Sequence, residues 1–351
     1  MAIDENKLQD LMNKMLGDAG AAMGTALVLL GDKFGFYKAL AAAGTMTPAE
    51  LSAKTGTVER YVREWASAQA AAGYINYDAA SGKFSISPEQ ALVLADEGGP
   101  TFFPAMYEVV AASILDEPKV EAAFRNGGGV GWHEHHPCLF RGTERFFRPS
   151  YSIHLISEWI PALDGVKEKL ERGARVADVG CGHGVSVILM AKAFPKSRFF
   201  GFDYHQPSID RAREMAREEG VADRAIFERA AAKDYPGTFD LVAFFDCLHD
   251  MGDPVGAAAH VKSSLDKDGT WMVVEPFGND RLEDNLNPIG RMFYSASTMI
   301  CVPASLSQEV GLGLGTQAGE ARLREVLTAG GFTRIRRATA TPFNLVLEAR
   351  P

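Results

Sequence analysis

Residues 174–184 have the sequence ARVADVGCGHG, in which a short apolar strand runs directly into a turn with three glycines. Gly180, Gly182 and Gly184 allow a sharp bend and let a ligand approach the backbone with no side chain in the way. Asp178, two residues before the first glycine, is placed to meet an ammonium group of that ligand directly or through water. The turn is therefore the first candidate for a binding site.

Short apolar strands and helices alternate on the C-terminal side of this turn. The segments that follow it are VSVILMAKAFP, SRFFGFD, SIDRAREMAREEG, AIFERA, FDLVAFFD, PVGAAAHVKSSL and GTWMVVEP. This alternation predicts an α/β fold with a doubly wound, Rossmann-like and mostly parallel sheet, which binds ligands at the carboxyl ends of its strands. Two later strands, FTRIRRATA and FNLVLEAR, are expected to pair antiparallel at the sheet edge.

The second strand of this series, SRFFGFD, ends in Asp203, whose carboxylate suits the two hydroxyls of a ribose. Dinucleotide enzymes use a related turn with G-x-G-x-x-G spacing, but here the third glycine comes one residue early. A nicotinamide-dependent oxidoreductase is thus an alternative that the spacing disfavours. A merely structural turn with incidental acids is the other alternative.

The N-terminal third of the chain has a different pattern. Three helical segments precede GYINYDAASGKFSIS, whose alternation around Ala-Ser-Gly predicts a hairpin, and Thr47-Pro48-Ala49-Glu50 predicts the start of a helix. Helices followed by a hairpin indicate a winged helix. We therefore expect four regions: an N-terminal helix over 1–21, a winged-helix domain over 22–95, a helical connector over 96–160 that covers the active site, and the ligand-binding domain over 161–351.

Composition and charge restrict the partners. The 351 residues carry a net charge of −9, and residues 1–100 hold eight Lys and Arg against twelve Asp and Glu. No basic footprint for nucleic acid exists, and no apolar stretch of about 18 residues predicts a membrane span. The four cysteines have neither disulfide-framework nor zinc-finger spacing, so a reduced, cytoplasmic setting without a metal is expected.

A candidate for chemistry follows the strand FDLVAFFD, in the segment CLHDMGDP. A loop at the carboxyl end of this strand adjoins the glycine turn. His249 titrates near neutrality and can take a proton from a phenol or another acidic hydroxyl. The alternative is that His249 only caps the loop.

Residues 165–351 resemble a class I S-adenosylmethionine-dependent methyltransferase. The whole chain resembles bacterial methyltransferases with an N-terminal winged helix, among them mycobacterial proteins and small-molecule O-methyltransferases. The resemblance implies S-adenosylmethionine as cofactor and a small-molecule methyl acceptor. It assigns the methionyl end to Asp178, Gly180, Cys181, Gly182 and Gly184, the ribose to Asp203, one face of the adenine to Tyr204, and positions beside the methionyl group to Asp246 and Cys247.

The resemblance also assigns the chemistry. LHDMGDP is similar to the LHDW-type loop whose histidine is a general base, so His249 is the expected base, with Glu275 of WMVVEP as its orienting partner and Asp250 as loop support. Met251 departs from the usual aromatic, which leaves the acceptor open. Methylation of nitrogen or carbon without a dedicated base remains an alternative. Ala231 and Ala232 stand where many relatives carry an Asp for the adenine amino group.

Several residues are candidates for the acceptor side. Met292 and Tyr294, with Phe293 and Met299, lie in a long insertion after WMVVEP and form either an apolar wall or a helical core. Trp132 and Phe140 flank a cluster of histidines at 133, 135 and 136, which we interpret as a polar cover over the site and not as a metal site. Tyr151 is a further candidate for the methionyl carboxylate.

The main rival is a winged-helix DNA-binding regulator that senses S-adenosylmethionine. In the expected recognition helix, Arg60 and Arg63 are offset by Glu59 and Glu64. The winged helix is therefore expected to serve homodimerisation through the N-terminal domain.

Overall fold

The structure, a computed structural model, describes residues 3–351. The chain divides into two units. One comprises the chain up to Ala112 together with Arg141–Pro149, and the other comprises Ser113–Phe140 together with Ser150–Pro351. Within residues 3–351, no helix is long and apolar enough to cross a membrane.

The first unit combines helices with a small antiparallel sheet. Its strands lie in the order β1-β3-β2, and β2 pairs antiparallel with β3, which confirms the predicted hairpin. Thr47 caps α3 as predicted, because its hydroxyl accepts the N–H of Glu50 while the Glu50 carboxylate accepts the N–H of Thr47. The elements are α1 Glu5–Lys33, α2 Phe36–Ala43, β1 Thr45–Met46, α3 Pro48–Thr55, α4 Glu59–Ala71, β2 Asn76–Asp78, β3 Lys83–Ser85, α5 Pro88–Leu94 and α6 Pro104–Leu115.

Helix α1 is longer than the sequence analysis expects. The helix predicted for residues 1–21, of which 1 and 2 lie outside the described residues, continues without a break to Lys33. Alanines around residues 19–22 favour helix, and nothing stops it before Gly35, whose φ of +69° is left-handed. The indole N–H of Trp65 donates to the carbonyl of Leu27 at 2.8 Å and ties α4 to this helix.

The segment from Glu117 to Arg172 is mainly helical. It contains α7 Glu117–Asn126, a 3-10 turn Trp132–Glu134, α8 Cys138–His154, a π turn Leu155–Trp159 and α9 Val166–Arg172.

A seven-stranded sheet forms the second unit. Its order is β6-β5-β4-β7-β8-β10-β9, and the first five strands in this order are parallel. Strand β10 pairs antiparallel with both β8 and the edge strand β9, which confirms the predicted fold class and C-terminal pair. The strands are β4 Arg175–Val179, β5 Arg198–Asp203, β6 Ala225–Arg229, β7 Phe239–Phe245, β8 Leu265–Pro276, β9 Arg334–Ala340 and β10 Asn344–Arg350.

Helices cover this sheet and bury its central strands. Strand β7 is almost continuously buried and β8 is buried from Gly269 to Pro276, with the rings of Phe244 and Trp271 in contact at 5.1 Å between their centroids. Chain order reverses between β4 and β7, so the carboxyl ends of these strands form the crevice where such sheets bind ligands. The helices are α10 Val185–Ala193, α11 Gln206–Glu218, α12 Pro254–Ser264, α13 Pro288–Ala296, α14 Val302–Leu306 and α15 Gly319–Ala329.

The insertion after β8 is more regular than a loop. It forms α13, a π turn Ser297–Cys301 and α14, and Phe293 is buried while Met292, Tyr294 and Met299 are half-buried. The start of α13 carries a capping signal in the sequence. Asn287 caps the helix by accepting the N–H of Gly290 at 2.9 Å, and Pro288 follows as its first residue.

Candidate active site

The glycine turn joins β4 to α10 with three left-handed residues. Gly180, Gly182 and Gly184 have φ values of +76°, +52° and +79°, which other residues adopt at a cost. A Cβ on Gly180 would lie 2.8 Å from the sulfur of Cys247, and one on Gly184 would lie 2.5 Å from the ring of Phe227. Gly182 faces open space, so the backbone there is accessible to a ligand.

Asp178 lies at the buried base of the turn. Its Oδ2 accepts a hydrogen bond from the hydroxyl of Ser186, and its Oδ1 has no partner among residues 3–351. Burial raises the pKa of Asp178 to about 7. A buried carboxyl with an unused oxygen fits a cationic ligand group, because the ligand would supply the missing partner and favour the charged form.

Asp203 joins the end of β5 to the same turn. Its carboxylate accepts the N–H of Gly182 at 3.0 Å and the N–H of His205 at 2.8 Å. Burial raises the pKa of this carboxyl. Tyr204 follows with a half-exposed ring, and Phe140 stacks on His205 with the ring centroids 4.7 Å apart. The predicted ribose and adenine residues therefore adjoin the glycine turn.

Asp246 forms the next side of the site, at the end of β7. It has a φ of +49°, unusual for a residue other than glycine, and accepts hydrogen bonds from the hydroxyl of Tyr151 at 2.7 Å and the amide of Asn344 at 2.9 Å. Burial and the nearby Glu275 raise the pKa of Asp246 to about 8. Tyr151 is thus held by Asp246, and Asn344 is a site residue that the sequence analysis missed.

Cys181 and Cys247 are both thiols at the turn. Cys247 donates to the carbonyl of Val179 at 3.2 Å, and Cys181 is buried. Burial raises the pKa of both thiols well above the usual value, which disfavours the nucleophilic thiolate form.

His249 and Glu275 form a buried pair beside Asp246. His249 lies on a 3-10 turn, Leu248–Asp250, with its Nδ1 2.5 Å from Oε2 of Glu275, whose other oxygen accepts the N–H of Leu248. Burial opposes protonation of His249, but the carboxylates of Glu275 and Asp250 outweigh it and raise the pKa of His249. The pair can orient one nitrogen and stabilise an imidazolium.

The histidine cluster is organised by a buried acid, Asp116. Its Oδ2 accepts from Nδ1 of His135 at 2.9 Å and from the N–H of His136 at 2.8 Å, and its Oδ1 accepts from Lys119 at 2.7 Å. The ring of Trp132 packs edge-on against His135 and Phe140. Asp116 therefore fixes the segment that carries the predicted acceptor-side aromatics.

Replacing Asp116 with Asn is expected to lower the free energy of unfolding by about 1–3 kcal/mol, because three charge-assisted hydrogen bonds weaken. Burial opposes ionisation of Asp116, but these bonds hold its pKa below the usual value. The stabilisation is therefore present above the ordinary carboxyl pKa and lost as the pH falls through the lowered one. Chemical denaturation of the wild type and of Asp116→Asn at several pH values measures this difference in the free energy of unfolding. The exposed neighbour Glu117→Gln is the control, and an equal loss in both variants would contradict the assignment.

The remaining acceptor-side candidates lie on α13. The hydroxyl of Tyr294 accepts a hydrogen bond from the amide of Asn285 at 3.4 Å, and Met292 is half-buried. Arg145 is paired with the carboxylates of Asp32, Glu97 and Glu108.

Such a sheet, with its nucleotide-type turn after the first strand and an antiparallel C-terminal pair, is the architecture of class I methyltransferases. Two family models match the sequence. Residues 170–330 match a methyltransferase domain, and residues 21–96 match an Rv2258c-like winged HTH domain. The chain thus carries a methyltransferase domain that follows an N-terminal winged HTH domain in the sequence.

Curated relatives share part of the chain. The ubiquinone biosynthesis O-methyltransferase of Bordetella avium is 33% identical over 132 residues, which cover 37% of this chain and 52% of that protein. The polyketide synthase ThaQ of Burkholderia thailandensis is 32% identical over 117 residues, 33% of this chain and 6% of that protein. The chain therefore spans about half or less of the length of these relatives.

Solved structures resemble the chain over its full length. The mitomycin 7-O-methyltransferase MmcR has a TM-score of 0.73 at 18% identity, with 99% of both chains covered. Human N-acetylserotonin methyltransferase, in complex with S-adenosylmethionine, has a TM-score of 0.71 at 16% identity, with 100% of this chain and 99% of that chain covered. At identities this low, the structural similarity establishes a shared fold and nothing more.

Proposed function

We propose that the chain transfers the methyl group of S-adenosylmethionine to a hydroxyl of a small phenolic or other aromatic molecule, with His249 as general base. The observation that carries the proposal is the His249–Glu275 pair, buried at the sheet edge that also holds the glycine turn. Relatives named as O-methyltransferases of ubiquinone biosynthesis and of mitomycin support a small-molecule oxygen as the acceptor atom.

Each residue of the site has a separate task in this proposal. Bound S-adenosylmethionine supplies an electrophilic methyl group on a sulfonium. The free oxygen of Asp178 meets the ammonium at the methionyl end, and the Asp203 carboxylate accepts the ribose hydroxyls. Tyr204 covers one face of the adenine. Gly180, Cys181, Gly182 and Gly184 line the methionyl end, with Asp246 and Cys247 beside it and Tyr151 supporting Asp246.

The proposal also assigns an acceptor atom for the proton. The Nδ1 of His249 faces Glu275, which leaves Nε2 as the atom that receives the proton of the acceptor hydroxyl. Glu275 and Asp250 stabilise the imidazolium that this transfer forms, and the same carboxylates raise the pKa of His249. Trp132, Phe140, Met292 and Tyr294 are proposed to hold the acceptor.

Incubation of the enzyme with bacterial extract and isotopically labelled cofactor tests the proposal. Mass spectrometry is expected to find a newly labelled small molecule that carries the label on oxygen. Label on nitrogen or carbon, with turnover unchanged in His249→Ala, would favour the alternative without a base.

The alternative of a DNA-binding regulator has weaker support, because ion pairs within α4 neutralise both arginines of that helix. Sequence-specific DNA binding below about micromolar in a gel shift would reverse that ranking.

The affinity for S-adenosylhomocysteine, which keeps the ammonium group, is expected to fall as the pH drops below about 7, by up to about tenfold per unit. The pKa of Asp178 is raised to about 7 and that of Asp246 to about 8, so a cation that needs the carboxylate must first displace a proton. Calorimetry between about pH 6 and pH 8, in buffers of different ionisation enthalpy, measures this proton release.

Asp178→Asn is the matched variant for this measurement. It is expected to weaken binding and to reduce the number of protons released, with the remainder coming from Asp246. An affinity independent of pH, or unchanged proton release in Asp178→Asn, would place the ammonium elsewhere.

We also propose a cytoplasmic homodimer, formed through the N-terminal domain. Helix α1 exposes an apolar series to solvent in the single chain, with exposed fractions of 49% for Leu8, 54% for Leu11, 58% for Met12, 60% for Met15 and 74% for Leu16. Burial of such side chains against a second copy stabilises association, at about 25 cal/mol per Å² of apolar surface. Neither disulfides nor a membrane span occurs in the described residues, which suits this setting.

The double variant Leu11→Glu with Met15→Glu is expected to convert the dimer into monomers, because two charges would be buried in an apolar interface. Light scattering coupled to size exclusion measures the mass. Gln9→Glu adds one charge to the same helix without removing an apolar residue and should leave the dimer intact. A dimer that survives the double variant would rule out α1 as the interface.

A further inference from the structure

Three groups capable of binding a metal converge beyond the carboxyl end of β7. His249 and Asp250 come from the 3-10 turn after β7, and Cys301 comes from the π turn Ser297–Cys301. One ligand atom of each lies within 4.8 Å of the other two, and Nε2 of His249 is 3.3 Å from Oδ1 of Asp250. The two segments are 51 residues apart, counted from Asp250 to Cys301, so no spacing motif in the sequence announces this group.

The surroundings of these groups suit a cation. His249 and Cys301 are buried, and Oδ1 of Asp250 is a buried oxygen without a hydrogen-bond partner in the described chain. Nδ1 of His249 faces the Glu275 carboxylate, which is the arrangement that orients metal-binding histidines and makes the other nitrogen a better ligand. The thiol is free of any disulfide.

The ligand chemistry selects the kind of metal. One imidazole, one carboxylate and one thiol suit a borderline-soft divalent ion such as zinc, whereas magnesium and calcium prefer oxygen ligands only. Zinc bonds of about 2.0–2.3 Å at a tetrahedral angle place ligand atoms roughly 3.3–3.8 Å apart, which the His249–Asp250 separation meets. The sulfur of Cys301 lies within 4.8 Å of both of these ligand atoms.

We propose that Nε2 of His249, the carboxylate of Asp250 and the sulfur of Cys301 bind one zinc ion with a fourth position open. Binding releases the thiol proton of Cys301, and the proton on Nε2 of His249 where the ring is protonated, to solvent and forms zinc–thiolate and zinc–imidazole bonds, without any change of oxidation state. Because the ion occupies Nε2, zinc binding and proton removal by His249 exclude one another. The site therefore makes the enzyme reversibly inhibitable by zinc, a consequence that rests on the proposed function while the binding itself does not.

Cobalt(II) is the probe for the binding, since thiolate ligation gives it a charge-transfer absorption in the near ultraviolet. Protein freed of metal with a chelator and kept reduced is expected to bind one cobalt per chain, and zinc is expected to displace it. Cys301→Ser should lose the absorption and weaken zinc binding by at least about tenfold. Cys138→Ser, which removes a free cysteine of the same unit, is the control and should keep both.

The following results decide whether the zinc site exists and which atoms form it. An unaltered charge-transfer band in Cys301→Ser, or no band in the wild type, would overturn the proposal. Retained affinity for S-adenosylhomocysteine shows that Cys301→Ser is folded, and Asp250→Asn should weaken zinc binding in the same way. Zinc that binds through Cys301 yet leaves methyl transfer unaffected would exclude Nε2 as a ligand, whereas absence of any methyl transfer would refute the proposed function and leave the cobalt result standing.

Discussion

Asp203→Ala is expected to weaken the binding of S-adenosylhomocysteine by about a hundredfold, or roughly 3 kcal/mol. The carboxylate is proposed to accept both ribose hydroxyls, and hydrogen bonds to a charged group contribute about 1.5–3 kcal/mol each. It also fixes the ligand-binding turn by accepting the N–H of Gly182 and of His205. Titration calorimetry measures the loss directly.

The control for this variant is Asp223→Ala, which removes a carboxylate with 72% of its side chain exposed on the same unit. Its affinity should match that of the wild type. Thermal unfolding of Asp203→Ala shows whether the turn is still folded. Equal affinities in the two variants would remove Asp203 from the cofactor site.

His249→Ala is expected to lower kcat by about 10²- to 10⁴-fold while the affinity for S-adenosylhomocysteine changes little. The variant removes the proposed proton acceptor but none of the residues assigned to the cofactor. Glu275→Gln keeps the shape of the partner and removes its charge, so it should also lower kcat, through a poorly oriented and less basic imidazole. Steady-state kinetics with the acceptor identified by labelling measures both.

His154→Gln serves as the comparison for His249→Ala, because it replaces another histidine of the same unit whose Nδ1 faces a carboxylate, that of the half-exposed Glu158. Its kcat should stay close to that of the wild type. Turnover of His249→Ala at the wild-type rate would show that the acceptor loses its proton without a protein base.

The parts that the sequence predicts are those that local chemistry determines. The glycine turn needs left-handed backbone at three nearby positions, and the strand-end acids follow strands that the apolar pattern defines. The sequence alone therefore indicates Asp178, Asp203, His249 and Glu275 as candidate site residues. The sheet, its parallel order and its antiparallel C-terminal pair follow from the alternation of strands and helices.

What the sequence does not indicate depends on distant segments that meet only in the fold. Asn344 reaches Asp246 across 98 residues, and Asp116 holds His135 across 19, with no motif at either position. Cys301 joins His249 and Asp250 for the same reason. The helical insertion after β8 differs from these cases, because its helix start is visible in the sequence. Asn287 and Pro288 form a capping signal just before the apolar residues of α13.

Calorimetric titration of the wild-type chain with S-adenosylhomocysteine, and separately with NAD, tests most directly whether the glycine turn serves a methyltransferase. We expect one saturable site per chain for S-adenosylhomocysteine, weakened in Asp203→Ala, and no binding of NAD. Binding of NAD at this turn, or no binding of S-adenosylhomocysteine at concentrations up to about 1 mM, which corresponds to roughly −4 kcal/mol, would contradict the assignment.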